Sequence, residues 1–146
     1  MEIELLRGSF ELIIAREPNL TTRFYDLLFE RHPEVRGLFK PHSRVAQERM
    51  LTSALTLVLD HLDDPWWLQE TLGKLGDRHR GYGVRDEMYA WVGEALLVAL
   101  SDVAKDEWTA EVEAEWRKAY ALIAEAMKTG ARPYVDPKRV ASPQSI

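Results

Sequence analysis

The chain has 146 residues, a net charge of −5 and no cysteine. That is one domain with room for a real core. It excludes a disulfide framework, a thiolate metal site and a thiol nucleophile. The acidic balance, with a pI near 5.4, also argues against a nucleic-acid partner, which needs a basic face. The start, Met1-Glu2-Ile3-Glu4, lacks the basic-then-apolar pattern of a signal peptide. The longest apolar run, Ala95–Leu100, is far too short to span a membrane. These features predict a soluble cytoplasmic protein.

Leu6, Phe10, Ile13 and Ile14 recur at helical spacing, which predicts a first helix over Glu2–Arg16, broken by Pro18 and Asn19. A second covers Leu20–Arg31, with Leu20, Phe24, Leu27 and Leu28 inward and Tyr25 at the edge of that stripe. It must stop before Pro33, because the residue preceding a proline disfavours the helical region. Pro33–Leu38 is a short helical turn, and Lys40–Ser43 a loop. Ser43 then caps a helix over Arg44–Leu62. Its apolar face reads Leu51, Ala54, Leu55, Val58 and Leu62, with Gln47 one turn earlier on the same stripe.

After Asp63-Asp64-Pro65, Leu68, Leu72, Leu75 and His79 share one helical face. An imidazole therefore closes an apolar stripe. Gly81 and Gly83 turn the chain directly after it. A strongly apolar helix follows over Asp86–Ala104 (Met88, Val92, Ala95, Leu96, Ala99, Val103). Another follows over Asp106–Thr129 (Val112, Trp116, Ala119, Tyr120, Ile123, Met127). No stretch alternates with period two, so no strand is predicted. Ala131–Ile146, with three prolines, reads as a non-helical tail. Dinucleotide, phosphate-loop, zinc-protease and serine-elbow motifs are absent. His32, His42 and His61 read as surface residues; His79, on its apolar face, is either a core histidine with a hydrogen-bond partner or an imidazole presented to something held in the core.

In order and register, several segments resemble the globins, in particular the bacterial single-domain globins and the haem domain of flavohaemoglobins. They are Phe24-Tyr25-Asp26, His32-Pro33-Glu34-Val35 through Leu38-Phe39, His79 with Gly83-Val84, Tyr89 with Val92-Gly93-Glu94, and Leu96-Leu97. The resemblance runs from about Leu6 to Lys128. It implies an all-α globin fold of about seven helices, the third very short, in a 3-on-3 sandwich around a haem pocket. Residues 1–130 would form this domain and 131–146 the tail.

The cofactor it implies is haem b, iron protoporphyrin IX, with His79 as axial ligand of the iron. Phe39 would lie against the porphyrin face, with Leu51, Val84 and Val92 as apolar walls. Tyr89 would support the axial histidine, and Arg78 or Arg80 would reach a propionate or stay solvated. On the opposite face Tyr25 and Gln47 would hydrogen-bond the gas ligand beside Leu51, and the interval from Gln47 to His79 is the family's usual one.

Oxygen on ferrous haem becomes partly superoxide-like, so each such bond is worth about 1.5–3 kcal/mol and slows release roughly ten- to a hundredfold. Carbon monoxide gains less. Two departures from the flavohaemoglobin pattern stand out. The chain stops where the flavin and nicotinamide domains would begin, so electrons would come from an external reductase. The place of the family's carboxylate behind the axial histidine is Ala131, which predicts a less electron-donating imidazole. The resemblance implies reversible oxygen binding. An enzymatic alternative is nitric oxide dioxygenation with that external reductase, and a third is a globin-fold sensor or interaction module. With no distal histidine, two-histidine ligation would need His42 to swing in, and Tyr25 could itself ligate ferric iron as tyrosinate.

Overall fold

The computed structural model describes residues 1–17, 19–39 and 43–130. Six α-helices succeed one another: α1 (Ile3–Arg16), α2 (Leu20–Arg31), α3 (Arg44–Asp60), α4 (Pro65–Gly81), α5 (Asp86–Ala104) and α6 (Ala110–Thr129). Short 3-10 segments, Pro33–Phe39 and Lys105–Glu107, follow α2 and α5. The described residues form no strand, and none of their helices is long and apolar enough to cross a membrane. The tail at 131–146 and His42 lie outside the described residues.

α5 runs through the middle of the core. Ala95, Ala99 and Leu100 are buried on it, against α1, α2 and α6. Small residues there let the neighbouring helices approach closely, and fully buried leucines such as Leu6, Leu28 and Leu100 each contribute about 1.5–3 kcal/mol of apolar burial. α4 packs chiefly on α6, and α3 packs on α1 and α2. α3 and α4 are consecutive, yet they are not a closely packed pair. Gln47 and Leu51 on α3, and Leu75 and His79 on α4, are all half-buried.

Several expected boundaries move. α6 begins at Ala110, not Asp106. Lys105 takes φ 52°, which throws the chain out of the α5 helix into the 3-10 turn. Thr109 then caps α6, its hydroxyl accepting from the Val112 N–H at 3.1 Å. α3 ends at Asp60, two residues before Leu62, because the His61 N–H turns back to the Val58 carbonyl. At the other end of the chain, the buried Glu115 carboxylate accepts the Glu2 N–H and the Lys118 ammonium, both at 3.0 Å. That anchors the start of α1 to α6.

Candidate functional site

The apolar stripe of α4 carries His79 to the helix end. Leu68 and Leu72 are buried, and Leu75 and His79 half-buried. His79 Nδ1 lies 2.8 Å from the Leu75 carbonyl one turn back. A carbonyl only accepts, so Nδ1 carries the proton and Nε2 keeps its lone pair. Burial also lowers the imidazole pKa, with the Leu75 bond opposing it and Arg78 adding to it. At neutral pH the ring is thus uncharged and held by one bond, with Nε2 able to act as a lone-pair donor. The turn after it is closed by backbone bonds from Tyr82 and Val84 to the His79 carbonyl, 3.1 and 3.0 Å. Gly83 takes the left-handed φ of 101° that this reversal requires.

Across the fold, Tyr25 is not at the edge of the α2 stripe but buried at 4% exposure. It sits among Phe24, Phe29 and Phe39 at ring separations of 4.8, 5.7 and 5.4 Å. The 3-10 segment brings Phe39 there, 5.5 Å from Phe29, so the tyrosine ring is enclosed by aromatic neighbours. Tyr25 Oη–H donates to the Gln47 backbone carbonyl at 3.4 Å, a long bond that commits the proton weakly. Desolvation pushes the phenol up to about 12, with Arg44 opposing and Glu48 adding. It stays a protonated donor at neutral pH.

Arg44 was not singled out by sequence reasoning. Its guanidinium lies 5.4 Å from the Tyr25 ring centre and 5.8 Å from that of Phe29. It donates to the Thr22 carbonyl at 2.7 Å and to Asp26 at 2.8 Å, while Thr22 also bonds Glu48. This lid ties α2 to α3 over the aromatic cluster. Its partners are far apart in sequence, so no local pattern announces it.

The structure thus brings Tyr25, Phe39 and Gln47 together, and separately His79 and Val84. No hydrogen bond among the described residues joins the two groups. Leu51, Val84 and Val92 are half-buried and pack on the core cluster from α3, the Gly83 turn and α5. Tyr89 is buried, and its carbonyl accepts the Tyr120 hydroxyl at 2.6 Å. The bond from His79 Nδ1 goes to Leu75 and not to Tyr89. Arg80 turns toward α6, bonding Asp77 and the Lys128 carbonyl, while Arg78 is exposed. His32 and His61 lie at the surface but are half-buried. Each lies flat on a tryptophan, His32 on Trp91 at 4.2 Å and His61 on Trp67 at 3.9 Å. An imidazole face is apolar enough to be covered by an indole.

A cleft of about 1100 Å³ opens elsewhere, between the C-terminal ends of α1 and α5 and the side of α2. Its arginines are paired within it, Arg16 with Glu107 at 2.8 Å and Arg23 with Asp102.

Residues 22–127 match the family model of the globins. The chain belongs to the globin family. It is 30% identical over 126 residues to the flavohemoprotein of Bacillus subtilis, covering 85% of this chain and 32% of that protein. It is 31% identical over 126 residues to the flavohemoprotein of Rhodopirellula baltica, covering 84% and 31%. The chain therefore spans about a third of the length of these curated relatives. Among solved structures, the closed form of the globin domain of HGbRL is 29% identical, with 86% of this chain and 91% of that one covered and a TM-score of 0.42.

Proposed function

We propose that this globin binds haem b through His79 and takes up molecular oxygen reversibly on the side of Tyr25 and Gln47. The observation that carries the reading is the state of His79: neutral, held by the Leu75 carbonyl, and with Nε2 as its remaining donor. Half-buried Phe39, Leu51, Leu75, Val84 and Val92 suit a flat apolar macrocycle. The weak packing between α3 and α4 suits a group inserted between them. These residues fit the group.

When bound, the haem supplies an iron centre that coordinates a diatomic gas. The chain's own residues set how that site behaves. His79 offers Nε2, and the Leu75 bond holds its ring. Tyr25 brings a protonated hydroxyl and Gln47 a side-chain amide, both able to donate to a ligand that gathers negative charge. Phe39, Leu51 and Val92 exclude water from that side. Tyr25 is better suited to donate than to ligate, because burial disfavours its phenolate.

Nitric oxide dioxygenation with an external reductase is the enzymatic reading of the same residues. The acceptor behind His79 favours the first reading, because a neutral carbonyl raises imidazole basicity less than a carboxylate does. Similarity to the flavohemoproteins keeps the second in view, as does the reductase partner it would need. Carbon monoxide and nitric oxide are further ligands expected on the same side. A cytoplasmic location is part of the proposal.

The test is an absorption spectrum of the purified protein in ferric, dithionite-reduced and carbon monoxide-bound forms. An intense Soret band that sharpens and shifts with carbon monoxide, and is lost in His79→Ala, is expected. No uptake from excess hemin would overturn haem binding and bring forward the sensor or interaction-module reading.

A further inference from the structure

The last turn of α4 is locked to the end of α6. Arg80, the residue after His79, donates Nη2 to the Lys128 carbonyl at 2.7 Å and Nη1 to Asp77 at 3.1 Å. Gly130 closes over that pair at φ +74°. A Cβ there would collide with the Asp77 carboxylate and come within 3.2 Å of Arg80 Nη1. One turn earlier Gly76 lets the α4 backbone rest on the Met127 carbonyl, where a Cβ has no room. Gly76, Asp77 and Arg80 lie on one face of α4, and residues 127–130 receive all three.

This clasp does something for α6. The Lys128 carbonyl is one of the last carbonyls of the helix, which have no partner inside it, and a guanidinium suits the negative end of the helix dipole. Its effect on α4 is geometrical. Successive residues on a helix are about 100° apart, so a restraint on Arg80 and Gly76 also sets the direction in which His79 points. A rotation of about 10° would carry a side-chain tip, roughly 5–6 Å from the axis, through about 1 Å. The Leu75 bond fixes the His79 ring relative to α4, and the clasp fixes α4 relative to the core.

We infer that Arg80, with Asp77 and Gly130, is a positioning element for His79 and couples the end of α6 mechanically to the proposed haem ligand. The inference rests on the haem reading above. It also assigns Arg80 to α6 rather than to a propionate. The resemblance places a carboxylate at position 131, where this sequence has Ala131. Among the described residues, the histidine's helix meets the end of α6 through the Arg80 guanidinium on the Lys128 carbonyl.

The test uses the full-length, haem-loaded protein and the iron–histidine stretching band of its ferrous form. Arg80→Met and Gly130→Ala should each shift and broaden that band, and Arg80→Lys should return it most of the way. Arg117→Met is the control. It removes a comparable surface ion pair, with Glu94 at 3.1 Å, and should leave the band in place even if it lowers the melting temperature as much. If Arg80→Met fails to fold, Gly130→Ala carries the test from the other side of the clasp. Bands that superpose on the parent in both variants would overturn the inference. A parent that takes up no hemin overturns the haem reading itself, and this inference with it.

Discussion

A Cβ on Gly93 would lie 2.5 Å from Cε2 of Tyr120. The tyrosine cannot easily retreat, because its hydroxyl donates to the Tyr89 carbonyl across 2.6 Å. The α5–α6 crossing therefore depends on a missing side chain. Gly93→Ala should destabilise the protein by about 1–3 kcal/mol, the usual range for overpacking. Gly8 on α1 has nothing within 4 Å of its would-be Cβ. Gly8→Ala should thus stabilise by about 0.5–1 kcal/mol through helix propensity alone. Urea denaturation beside the parent checks both, and similar midpoints for the two variants would count against the crowding argument.

Tyr25 tests the proposed gas-binding side. Its long bond to the Gln47 carbonyl leaves the proton available. A donor to a charged partner is worth about 1.5–3 kcal/mol. Tyr25→Phe should therefore speed oxygen release roughly ten- to a hundredfold, while carbon monoxide release stays within about twofold. Stopped-flow displacement measures both rates. If the oxygen rate also stays within about twofold of the parent, Tyr25 is not the donor.

Lys105 holds φ 52° and ψ −117° at the end of α5, a conformation that glycine adopts without steric cost. Such strain costs on the order of 1–3 kcal/mol, and the extra freedom of glycine in the unfolded chain offsets part of the gain. Lys105→Gly should raise stability by about 1 kcal/mol, with a melting temperature higher by roughly 2–4 °C. Lys105→Val should lower it. The order of the two melting temperatures decides the point.

Acid should loosen the N-terminal anchor. The Glu2 N–H, and then Lys118, hold the Glu115 carboxyl below its ordinary value of 4.5. A depressed folded pKa means the unfolded chain binds the proton first as pH falls. The contribution is therefore whole above pH 4.5 and disappears as pH drops through the lower folded value. Denaturation midpoints of the parent and Glu115→Gln should run parallel between pH 7 and 5 and converge below pH 4.5. Curves that stay parallel throughout would show that Glu115 is not coupled to folding.

Gln47 and His79 show how much of the site was legible in the chain. Apolar residues every three or four positions placed both on the helices that carry them, because a helix face is a local property of the backbone. Proline, Ser43 and the Gly81–Gly83 pair marked helix ends for equally local reasons. The run of matching segments from Phe24 to Leu97 identified the family. Gly73 and Gly76, on the same helix as His79, carried a further signal that the sequence analysis left unused. Glycine costs about 1 kcal/mol there, so close packing is the natural reason to keep it.

What only the tertiary structure decided lies between residues distant in the chain. Periodicity put Tyr25 at the edge of its stripe, and in the fold Phe39 of the 3-10 segment lies against its ring and helps cover it. Exposure averages placed His32 and His61 at the surface, and only the fold showed that Trp91 and Trp67 each cover one face of them. Arg80 had two destinations in the sequence, and the Lys128 carbonyl took it. Helical pattern is set within a turn or two, but a charged or aromatic side chain goes where the packed helices leave it a partner. That partner exists only once the chain has folded.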